Sequence, residues 1–91
     1  MWDEAKARTN RTKHGVSFDE AATAFRDDEG VRIFDPEHSR DEDRFLLLAM
    51  SAKGRLLVIV HCYRANESEI RIITARKADA DEVRQYVRRK P

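Results

Sequence analysis

A chain of 91 residues can bury one core but not two independent ones, so a single domain over residues 1–91 with a single site is expected. Charged residues are 38% of the chain yet cancel to +1, so no global field marks it as a nucleic-acid or membrane binder. No apolar stretch approaches the roughly 20 residues of a membrane span, no N-terminal signal pattern is present, and the lone Cys62 has no partner for an internal disulfide; a reduced, cytoplasmic setting is the default.

Taken in chain order, "DEAKARTNRTK" (residues 3–13) is free of Pro and Gly and rich in helix formers, with Gly15 placed to end a helix near Lys13 or His14. In "VSFDEAATAF", Ser17 precedes Glu20 by the three residues of a capping box, and Phe18, Ala21, Ala22 and Phe25 follow at helical intervals. Gly30 closes that unit. "VRIFD" reads as a short strand stopped by Pro36, ahead of the acidic segment "PEHSRDED". "RFLLLAM" and "RLLVIVHCY" flank "SAKG", a connection suited to a hairpin, and "EIRIITA" reads as a further antiparallel strand. Asp79 and Glu82 repeat the capping spacing before a final helix with Val83, Tyr86 and Val87 as its apolar stripe. The predicted order is two helices, about four strands and one helix, an α+β fold.

Charge is distributed less evenly than the total implies: +2 over residues 1–13, −7 over 14–43 and +6 over 44–91. A basic second half allows one electropositive face for phosphate recognition; a solvated surface with internal ion pairs is the alternative. In "RIITARKADADE" (71–82) two cations, Arg76 and Lys77, stand just before a helix start, where the helix dipole disfavours them. In a regular strand Arg71 and Lys77 share a face and Arg76 takes the other. They serve a phosphate, or they pair with Asp79, Asp81 or Glu82. His61 ends the longest apolar run on the parity of Leu57 and Ile59, either as an acid-base group or as a hydrogen-bonded structural residue. His14 has a helix-capping alternative, and Tyr86 suits a helix core better than a base-stacking platform. His14, His38, His61 and Cys62 lack metal-ligand spacing, and no glycine-rich phosphate loop is present.

The order "WDEAKARTNRTKHGVSFDEAATAF", "HS", "SAKGRLLVIVH", "RIITARKA" closely resembles the BrnT family of bacterial toxins, within the RelE/ParE-like superfamily. The resemblance spans nearly the whole chain, with Trp2-Asp3, Asn10, Lys13 to Phe18 and Arg71 to Lys77 as its most specific pieces. It implies a RelE-like fold with two N-terminal helices and a C-terminal helix on a mostly antiparallel sheet. Family members commonly have a first strand before the Trp-Asp pair, where this sequence has only Met1, which puts that strand in question. The implied function is a metal-independent endoribonuclease without cofactor that arrests translation. Its implied partners are RNA and a BrnA-like ribbon-helix-helix antitoxin, with operator DNA bound only through the antitoxin complex and a dimer inside a heterotetramer. Under that resemblance Arg71, Arg76 and Lys77 become phosphate or transition-state stabilisers, His61 the proton-transfer group, and Lys13, His14 and Arg44 RNA contacts. The competing functions are a noncatalytic module binding nucleic acid or an acidic protein, and a superfamily toxin acting on another target such as gyrase.

Overall fold

A computed structural model of the chain describes residues 2–36, 43–64 and 69–89; most of the acidic segment, with His38, lies outside them. Its elements run α1 (Glu4–His14), α2 (Phe18–Ala24), β1 (Val31–Asp35), β2 (Arg44–Met50), β3 (Leu56–Arg64), β4 (Glu69–Lys77) and α3 (Ala80–Arg89).

The helix boundaries follow local chemistry. Asp3 caps α1 by accepting from the amides of Ala5 and Lys6, and Gly15, at φ 70°, returns its N–H to the Arg11 carbonyl. Arg11, Lys13 and His14 occupy the last turn, where cations suit the dipole. Ser17 caps α2 through the Glu20 amide, but only half of the expected box forms. The Glu20 carboxylate turns instead to Ser51 and to Arg55, whose guanidinium also donates to the Gly15 carbonyl. At α3 the box closes both ways, Glu82 N–H to Asp79 and Asp79 N–H to Glu82.

The four strands form one antiparallel sheet in the order β1-β2-β3-β4, leaving β1 and β4 at its edges. The "SAKG" hairpin closes with Ser51 N–H on the Arg55 carbonyl and Gly54, at φ 78°, on the Ser51 carbonyl. One sheet face packs Leu47, Ala49, Leu57, Ile59, Ile72 and Ala75 against Val16, Phe18, Ala21 and Ala24 of the α1–α2 region. The other carries α3 on a smaller cluster of Leu48, Val58 and Tyr86. Of the expected stripe on α3 only Tyr86 is buried; Val83 and Val87 are exposed, because a single helix turn reaches the sheet. Tyr86 donates to Asp27 at 2.5 Å, and burial beside that carboxylate pushes its pKa up to about 12.

Two details set the geometry of β4. Buried Asn10 donates to the carbonyls of Val16 (2.9 Å) and Ala75 (2.8 Å) and accepts from the Ala75 amide (3.0 Å), binding α1 to both the following loop and the edge strand. Pairing with β3 then slips by one: Val60 faces Thr74 but His61 faces Ile72, so Ile73 is an extra residue, a β-bulge.

Candidate RNA-binding and catalytic face

Cross-strand partners in an antiparallel sheet project to the same side. Arg44 faces Cys62 across β2–β3, and Cys62 faces Arg71 across β3–β4, so two arginines flank the buried thiol in one row. Arg76 faces Val58, which lies on that side beneath Tyr86. The bulge therefore places Arg71 and Arg76 together and sends Lys77, opposite Leu57, to the two-helix side, where regular alternation had paired Arg71 with Lys77. Three of the arginines expected from sequence converge on the α3 face.

The ion-pair alternative for Arg76 is realised as well. Its guanidinium holds Glu82 with two bonds of 2.8 Å and adds one to the Lys77 carbonyl. That fork keeps the Glu82 carboxyl below the usual carboxylate range and strengthens the positive charge on Arg76. Arg76 stays 42% exposed at its side chain, leaving it open to a second anion. Half-buried Arg71 has no hydrogen bond or ion pair among the described residues. Cations so placed have the chemistry to hold phosphate oxygens and to oppose developing negative charge.

His61 lies elsewhere. It is fully buried on the two-helix side, ringed by Phe25 at 4.9 Å, Phe45 at 6.0 Å and Tyr63 at 5.3 Å between centroids. Nδ1 is 3.2 Å from the Ile59 carbonyl and must donate to it, which leaves Nε2 a buried lone pair without a partner among the described residues. Burial, with the nearby Arg32 charge, lowers its pKa and keeps it neutral. Arg32 stacks over Phe45 and Tyr63 at 5.6 and 5.4 Å and donates to the Tyr63 hydroxyl.

Lys13 and His14 form a third locality. With Lys6, Thr9, Ile73 and Thr74 they line a groove of about 370 Å³ between α1 and the β4 edge. Among the described residues no three His, Cys, Asp or Glu side chains cluster as metal ligands.

Sequence reasoning had treated Glu82 as a capping residue and a possible ion-pair partner, and had passed over Lys6, Arg32 and Tyr63. Lys6 had a signal, two helical turns before Lys13 on one stripe of α1. Arg32 and Tyr63 had none, since 31 residues separate them and only β1–β2–β3 pairing brings them together.

A family model described as "Ribonuclease toxin, BrnT, of type II toxin-antitoxin system" matches residues 2–82. No curated protein matches the chain.

Proposed function

The chain belongs to the BrnT family of ribonuclease toxins of type II toxin-antitoxin systems, and from that premise we propose that it cuts RNA on its α3 face by a metal-independent route that arrests translation. The observation that carries this reading is the convergence of Arg44, Arg71 and Arg76 on one side of the sheet. In the proposed reaction the RNA 2′-hydroxyl attacks the adjacent phosphorus, its proton passes to a base, and the bond to the 5′ oxygen breaks. That oxygen takes up a proton and a 2′,3′-cyclic phosphate remains. Arg71 and Arg76 stabilise the extra negative charge on the phosphoryl oxygens, and Arg44, across Cys62 from Arg71, holds the strand beyond them.

Glu82 is the proton acceptor favoured by its position against Arg76; the same ion pair keeps it ionised at neutral pH and makes it a weak base. His61 is the second reading, favoured by its unpartnered Nε2; reaching RNA requires its aromatic cover to open. Lys77, Lys13 and His14 act as contacts away from the reacting phosphate.

The α+β arrangement is read as RelE-like, the setting as cytoplasmic, and the cognate inhibitor as a BrnA-like ribbon-helix-helix antitoxin that covers the arginine face with acidic groups. Operator DNA is bound by the toxin-antitoxin complex, a heterotetramer built on a dimer. Incubating the purified protein with RNA in chelator tests the core of this proposal. Cyclic-phosphate products are expected; loss of cleavage restored by a divalent ion overturns the metal-independent route. Retention without cleavage favours a binding module, and neither result points to another target such as gyrase.

A further inference from the structure

We infer that the substrate is unpaired RNA that bends over the β4 edge, its flanking nucleotides lying in the α1–β4 groove with phosphates on Lys6 and Lys13; the inference rests on the ribonuclease reading above. The cations assigned to RNA above fall, among the described residues, on two sides of the sheet that meet at β4. Arg71 and Arg76 project to the α3 side, whereas Lys6, Lys13 and His14 border a groove on the α1 side. The sheet wall of that groove is Ile73 and Thr74, the bulged residue and its neighbour. Thr74 pairs with Val60, so the groove opens at the rim rather than deep under α1.

The groove is pre-formed. Asn10 in its lining is anchored to Ala75 and Val16 by three hydrogen bonds, which fixes α1 against the strand. Lys6 and Lys13 are exposed and form no ion pair among the described residues, so their charge is unspent within the fold. Ile73 and the lysine stems supply an apolar wall for a ribose or base, and Thr9 and Thr74 supply hydroxyls.

A ligand that touches both cation sets must turn around the width of one β-strand. An A-form duplex is too stiff and too wide for that path, while a single strand follows it and still presents its phosphates. Among the described residues β4 pairs with β3 alone, so its outer edge lies open to the crossing nucleotide except at Ala75, whose N–H and C=O Asn10 already holds.

The test is fluorescence anisotropy with a 2′-O-methyl oligonucleotide that cannot be cut, single-stranded or annealed to its complement, over a salt series. Lys6→Gln with Lys13→Gln is expected to weaken single-strand binding about tenfold and to reduce the salt slope by about 1.4, at roughly 0.7 per lost phosphate contact. Arg8→Gln with Arg11→Gln removes equal charge from another surface of α1, beside Trp2 and Asp19, and is expected to leave single-strand binding unchanged. Equal losses in the two double variants, or duplex binding as sensitive to Lys6 and Lys13 as single-strand binding, overturns the inference. Lysine-dependent binding by a protein that cleaves no RNA upholds the groove and overturns the ribonuclease reading instead.

Discussion

Arg71 and Arg76 share a face of β4 although they stand five positions apart in sequence, because Ile73 adds one residue to the pairing with β3. Were Ile73 paired in regular alternation, Arg76 would point towards the Val16–Phe18 core and the arginine face would lose its α3 end. The bulge turns an apparently mismatched cation before a helix into a residue that anchors the helix through Glu82 and still faces solvent.

Four residue positions along the strand, about 3.3 Å each, keep the two guanidinium groups on different phosphates or on opposite sides of one. Arg71→Gln and Arg76→Gln are each expected to lower kcat/KM roughly 10- to 100-fold, the scale of a lost charge-assisted bond of about 1.5–3 kcal/mol. Their effects should add in the double variant. Cleavage rates with melting curves check this, and wild-type turnover in the double variant would leave Arg76 with only its ion pair.

Glu82→Gln keeps an amide that can complete the capping box, so the helix start should survive while the carboxylate is lost. Cleavage should drop at every pH above the carboxylate range, and the loss of the Arg76 fork should lower the melting temperature without unfolding the protein. An unchanged rate would remove Glu82 from the chemistry.

His61 gives a pH signature of the opposite kind. Its folded pKa lies below the ordinary 6.5, so below that pH the unfolded chain binds a proton that the folded chain refuses, and stability falls as pH falls. His61→Leu should flatten urea midpoints between neutral and mildly acid pH and retain cleavage. A folded leucine variant without cleavage would restore His61 as the proton-transfer group.

Glu20 dominates at lower pH. Arg55 and Ser51 hold its carboxyl at about 2 against an ordinary 4.5, so its contribution is present above about pH 4.5 and lost as pH falls towards 2. The linked change is on the order of 3 kcal/mol. Glu20→Gln should lose most of this acid dependence, measured by urea unfolding across the same range.

The caps were the most legible part of the fold. Gly15, Ser17, and Asp79 with Glu82 announced their helix ends because a cap is a contact within a few residues, whereas Asp3, read as part of the first helix, proved to be its cap. The strand order followed from apolar runs and the short hairpin. The bulge was invisible, since an extra residue exists only relative to a partner strand, and every parity argument past Ile73 inherited the error. Strand parity placed His61 with Leu57 and Ile59 on the two-helix side, as found, but its aromatic ring depends on Phe25, Phe45 and Tyr63 from three elements.

The three bonds of Asn10 set a schedule for synthesis. Two of them close on Ala75, 65 residues downstream, so α1 lacks the β4 part of its docking surface until nearly the whole chain has left the ribosome. A nascent chain that stops before β4 lacks the outer strand, its half of the groove, and two of the three converging arginines. The arginine face proposed to hold RNA is therefore the last part of the molecule to be assembled, and a truncated chain cannot present it.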